Sequence, residues 1–217
     1  MSVDSVRTTV YLAVGFVIGL VLHEYAHAWL ASRLGDHTPR EAGRLTLNLR
    51  PHVEAFGTVI LPGILLLTVL FGGNPFVFGY AKPQPLNPWS LRRQDHHLVA
   101  IAMAGPAANV GLAFVFGGLY RATGGVGGVS EFLADCLIVN VILAAMNLIP
   151  IPPLDMTRVV ARFLPPRPQE VLNNLEQYGA LFMLLIFFIV AGPIFTFVRD
   201  IGNGICQITA GARCFAP

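Results

Sequence analysis

The chain has 217 residues, 54% of them hydrophobic and only 12% charged. Soluble domains carry about twice that charged fraction, and the mean hydropathy of +0.64 agrees, so the composition is that of a polytopic membrane protein folded as one membrane domain. The net charge of +2 is small and dispersed, with no basic run, Gly-rich phosphate loop or internal repeat, so nothing points to nucleic acid. The three cysteines lack CxxC spacing, which argues against a Cys-based zinc site.

The first predicted element is a helix over residues 9 to 34. Residues 9 to 22 carry no charge, and His23-Glu24-Tyr25-Ala26-His27 follows. On a helix, His23 and His27 share one face and can bind one zinc, with Glu24 as general base. Ionisable groups are costly inside a span and mark functional sites there. Two plainer readings compete. In one, Ala26-His27-Ala28 is a signal-peptide cleavage site, but the preceding region holds only Asp4 and Arg7 as charges, and two His and a Glu precede the cut. In the other, the polar residues merely tie helices together. Gly35 is the expected helix cap.

Residues 36 to 54 are polar and basic. Within them Leu45-Thr46-Leu47-Asn48-Leu49 alternates with period two, which predicts a short strand. Its open edge could take up an extended substrate segment by strand addition. Residues 56 to 71 are apolar but short for a span, and Pro62-Gly63 interrupts them. With Phe76 to Tyr80 they read either as a span or as a re-entrant element. Residues 81 to 88 are a stiff Pro-rich loop, and Trp89 suits an interface.

Residues 97 to 119 are a clear span, with small residues around Gly105, a kink expected at Pro106, and Asn109 as an internal polar group. Residues 124 to 128 are a Gly-rich turn. Residues 131 to 150 form the next span, after which Pro150, Pro152 and Pro153 forbid regular helix. Asp155 follows on irregular backbone. It is the third-ligand candidate, with N-capping of the next turn as the plainer role. His52, Asp95, His96 and His97 are the other candidates. A short amphipathic helix over 168 to 176, a last span over 178 to 198, and a tail with Cys206 and Cys214 complete the chain. The fold class is thus an all-α polytopic membrane protein: four to five transmembrane helices with a small membrane-associated β-hairpin or re-entrant segment.

These residues together resemble the site-2 protease family of intramembrane zinc metalloproteases, in its short bacterial form without a PDZ domain. The resemblance covers about residues 10 to 165, leaving the last span and tail at 177 to 217. His23 to His27 matches the family's HExxH helix. Gly43 to Asn48, His52, Gly79 to Pro83 and Asn87-Pro88 look like its linking segments. Ala104-Gly105-Pro106 with Asn109 resembles its middle core helix, and Asn147 to Asp155 its third core motif. Met156 departs from that motif, which has Gly there, and Gly would allow unusual backbone torsions or close approach.

The resemblance implies one zinc held by His23, His27 and Asp155, with Glu24 as the catalytic base. It implies substrate or oxyanion contacts from Asn147 and Asn109. It further implies cleavage of single-span membrane proteins, such as anti-sigma factors or signal-peptide remnants, in regulated intramembrane proteolysis at the lipid bilayer. The rivals are a catalytically weak member that binds helices without cutting, and a transporter whose His residues line a path. Lys and Arg counts divide seven to seven if residues 56 to 71 cross the membrane, and ten to four if they re-enter. The second arrangement makes the side of Arg33 and Arg162 cytoplasmic, with the active site nearer that face. The amino terminus and the Cys206/Cys214 tail would then be extracytoplasmic, where a disulfide can form.

Overall fold

The computed structural model describes residues 2–73, 76–165, 167–168, 170–172, 191–211 and 213–215. Helix α1 (Val3–Leu34) starts at Ser2, whose hydroxyl accepts the Ser5 N–H, and stops at Gly35 with φ of 109°. That left-handed conformation is one glycine adopts without strain. A single turn, α2 (Thr38–Glu41), follows. A π-helical turn (Ala55–Ile60) leads into α3 (Leu61–Leu70). Then come α4 (Gln94–Ala122), α5 (Gly128–Asn147), α6 (Asp155–Arg162) and α7 (Ala191–Thr209).

Helices α1, α4 and α5 are long and apolar enough to cross a membrane. The apolar stretch of α5 is 67% buried, against 33% for those of α1 and α4, so α5 is the central helix and the other two keep faces for lipid. Leu12, Phe16 and Leu20 of α1 meet Val139, Ile142 and Leu143 of α5 in the main core. The approach is tight at Gly19, where a Cβ would come 2.8 Å from Asn140 and Leu143. Lipid tails give apolar helices no hydrophobic reason to associate, so such close packing has to hold them together.

Several expectations need correction. Among the described residues there is no strand, and residues 45 to 47 are a series of bends. The cause is local: Thr46 Oγ1 accepts the Asn48 N–H and Asn48 Oδ1 accepts the Arg50 N–H, which folds the backbone on itself. Pro62 does not interrupt its helix but stands in the first turn of α3, where a missing N–H is tolerated. Asp155 is the first residue of α6 rather than its cap, which is Leu154. The predicted last span lies mostly outside the described residues, as does part of the 168 to 176 helix. Its expected end at 198 is superseded, because α7 continues to Thr209.

Side-chain bonds sort the chain into two ends. At one, Asn87 N–H donates to Asp36 Oδ2 (2.8 Å) and Arg162 pairs with Asp95. At the other, Arg7 pairs with Glu131 (2.8 Å), Arg121 donates to the Ile208 carbonyl (3.4 Å), and Cys206 is disulfide-bonded to Cys214. The start of the helical stretch Ala55–Leu70 lies against Tyr80. The Tyr80 N–H donates to Gly57 O (3.0 Å) and Thr58 Oγ1 to Tyr80 O (2.9 Å), so helix α3 and the extended segment after it form a hairpin whose ends meet.

Candidate active site

His23, Glu24 and His27 are all buried in the lower half of α1, and the start of α6 brings Asp155 against them. His23 Nε2 and His27 Nε2 are 3.0 Å apart, and Asp155 Oδ2 lies 2.9 and 3.3 Å from them. The outer nitrogens are fixed. His27 Nδ1 faces the Ile101 carbonyl at 2.6 Å, and a carbonyl only accepts, so that nitrogen carries the proton. His23 Nδ1 faces Asn109 Oδ1 at 2.5 Å. The Asn109 orientation is set by its Nδ2, which donates to Gly19 O (3.2 Å) and Asn140 Oδ1 (3.0 Å). Neutral rings held this way aim both Nε2 lone pairs at a carboxylate oxygen.

Three acceptors converging in a buried space repel unless positive charge, a proton or a metal ion, sits among them. Asp155 Oδ2 is indeed buried without a hydrogen-bond donor. Ligands of a tetrahedral zinc at its usual bond lengths stand roughly 3.3 Å apart, close to the spacings here. The space is kept by Gly105 of α4, where a Cβ would overlap both imidazoles. The three residues thus form a group that could hold one metal ion.

Glu24 is oriented by a residue the sequence reading passed over. Gln84 Nε2 donates to both the backbone carbonyl and Oε2 of Glu24, each at 3.0 Å. Gln84 stands between Pro83 and Pro85, which favour extended backbone on either side of it. Arg44, buried behind this segment, donates to the Lys82 and Pro83 carbonyls at 3.4 Å. Tyr80 and Lys82 spend their N–H groups on Gly57 and His52. The alternation of an extended chain turns Gly79 and Ala81 the other way, into a cavity of about 30 Å³ that also borders Glu24, Asp155 and Asn147. Among the described residues neither Gly79 nor Ala81 has a backbone partner.

Asn147 lines that cavity, with Nδ2 donating to Leu143 O (2.9 Å) and Oδ1 facing the Asp155 N–H at 3.5 Å. Asn109 does not: it is fully buried behind His23, with both amide atoms engaged. His52 bonds the Thr46 carbonyl and Asp95 pairs with Arg162, so neither joins the group, and His96 and His97 stand apart from it. Met156 lies inside α6 with ordinary helical torsions, since no non-glycine residue has positive φ among those described. The conformational argument for Gly at that position therefore does not apply.

A buried His-His-carboxylate group beside a glutamate held in place, inside a bundle of apolar helices, defines a metallohydrolase of membrane type. Comparison with known proteins agrees. The chain is 31% identical over 186 residues to "Putative zinc metalloprotease YwhC" of Bacillus subtilis, covering 82% of this chain and 80% of that one. It is 31% identical over 194 residues to "Putative zinc metalloprotease Rip2" of Mycolicibacterium smegmatis, covering 86% and 72%. No family model and no solved structure matches. The chain belongs to the site-2 protease family of zinc metalloproteases.

Proposed function

We propose that this protein is an intramembrane zinc endopeptidase that cuts single-span membrane proteins, such as anti-sigma factors or signal-peptide remnants, within or near their spans. The observation that carries the reading is the convergence of His23, His27 and Asp155 beside Glu24 within apolar helices. In this reading those three residues hold the zinc. When bound, zinc lowers the pKa of water to about 7 and polarises a carbonyl. Glu24 takes the proton from the attacking water and passes it to the leaving amine. Gln84 keeps the Glu24 carboxylate aimed, and Asn109 keeps His23 in the tautomer that presents Nε2. Asn147, at the cavity wall, offers its amide to the substrate.

A span hides its peptide bonds in its own helix, so a substrate must be drawn out before it is cut. The unpartnered edge at Gly79 and Ala81 supports capture of the extended segment by strand addition. That moves the capture edge from residues 45 to 49, where the sequence suggested it, to the hairpin's returning arm. The decisive assay is cleavage of single-span substrates by the purified, detergent-solubilised chain. Cutting within or beside the span, stopped by a chelator and restored by zinc, is the expected result. A zinc-loaded chain that cuts none of them would reject the reading.

The hairpin's meeting ends favour re-entry, and with it ten Lys and Arg residues fall on the side of Arg33 and Arg162 against Arg7, Arg121 and Arg213 on the other, Arg199 lying within α7. The positive-inside rule makes the ten-charge side cytoplasmic. The Cys206–Cys214 disulfide supports this, since it lies at the opposite end, in what would be an oxidising compartment. Labelling of intact cells with an impermeant thiol reagent should modify Cys206 and Cys214 only after reduction. Free cytoplasmic thiols at both positions would reverse the orientation.

A further inference from the structure

A second cavity, of about 320 Å³, adjoins the first and shares His27, Gln84 and Arg158 with it. The first cavity, at about 30 Å³, is roughly a tenth of the size of the second. Of the two, the second has the room for a large side chain. The second cavity is within the usual size range of ligand pockets. Its walls are mainly apolar: Leu86 and Pro88 from the loop, Leu98, Ile101 and Ala102 from α4, and Ala161 from α6. Arg162, at one side, is already paired with Asp95.

Gln84 stands between the two cavities, and half of its amide is unused. Its Nε2 holds Glu24, while its Oε1 is buried without any donor. A buried acceptor needs a partner, and an extended peptide carries an N–H at every residue but proline.

We infer that the larger cavity is the side-chain subsite beside the cut, taking one large apolar residue such as Leu, Phe or Met, with Gln84 Oε1 accepting a backbone N–H of the substrate at its neck. This rests on the peptidase reading above. Every residue flanking the cut in a single-span substrate would be varied among Ala, Leu, Phe and Asp, with the purified zinc-loaded full chain as enzyme. One flanking position should favour Leu or Phe over Ala and Asp by at least about tenfold in kcat/KM.

Ala102→Phe, which fills the cavity from α4, should lower cleavage of the Leu and Phe substrates at least about tenfold more than that of the Ala substrate. Zinc content, measured alongside, reports whether the site is still assembled. Ala161→Leu, from the opposite wall, should give the same selective loss in a milder form and stands in if Ala102→Phe fails to fold. Cleavage with no side-chain preference at any flanking position would overturn the subsite alone. Equal loss for all substrates, with zinc retained, would also overturn it and make the cavity a passage for water. A zinc-loaded wild type that cuts nothing would remove the peptidase reading and the subsite with it.

Discussion

Glu24→Gln should leave the zinc in place and lower cleavage by about 10²- to 10⁴-fold. The substitution keeps the shape of the side chain, and Gln84 can still donate to the oxygen of the new amide and to the backbone carbonyl of residue 24. What it removes is the carboxylate that moves the proton. None of the three convergent atoms belongs to residue 24, so metal content should stay at about one per chain, as expected for a single site. Zinc analysis and cleavage on the same preparation check both halves. Loss of zinc in this variant would mean that Glu24 is a ligand, and unchanged cleavage would mean that another group moves the proton.

The second large effect is expected at a residue with no side chain. Gly105→Ala should cost at least about tenfold in zinc affinity, and cleavage with it. A Cβ at that position overlaps His27 Nε2 and His23 Nε2. One flexible side chain could swing aside cheaply, but here two rings are met at once and neither is loose. His27 is held by the Ile101 carbonyl and His23 by Asn109, which is itself held by Gly19 and Asn140. Movement of either ring breaks a buried hydrogen bond. Zinc titration of the purified variant is the measurement, and wild-type affinity would show that α4 can retreat from the rings.

The metal group was legible because helical periodicity is a strong rule. Two His residues four apart in an apolar helix must share a face, wherever that helix packs. Asp155 was legible as a candidate because a zinc wants a third ligand and the prolines leave this carboxylate on irregular backbone after a span. But they say that a helix ends and not where the chain goes next, so His52, Asp95, His96 and His97 stayed beside it until the motif resemblance singled it out. Gly105 was read as a packing residue, which it is, but what it packs against comes from another helix and cannot be read locally. Gln84 was hidden by its prolines, which mark a loop in any sequence. That this loop runs extended past Glu24 depends on Arg44, Gly57 and His52 holding it from behind. The misread strand at 45 to 49 failed for the opposite reason. Its alternation was real, but Thr46 and Asn48 supplied backbone partners closer at hand than any neighbouring strand.

The three convergent side chains come from opposite ends of the described core, His23 and His27 from its first helix and Asp155 from beyond its third long one. A ribosome needs on the order of ten seconds to travel that far along the message. Throughout that interval the growing chain owns two of the three convergent groups, the imidazoles of His23 and His27, but not the Asp155 carboxylate, and for the first part of it lacks Gln84 as well. If the chain cuts membrane proteins as proposed above, it is therefore harmless while it is being threaded in. It becomes competent only when almost all of its core has been made, and no separate inhibitory segment is needed to keep it silent until then.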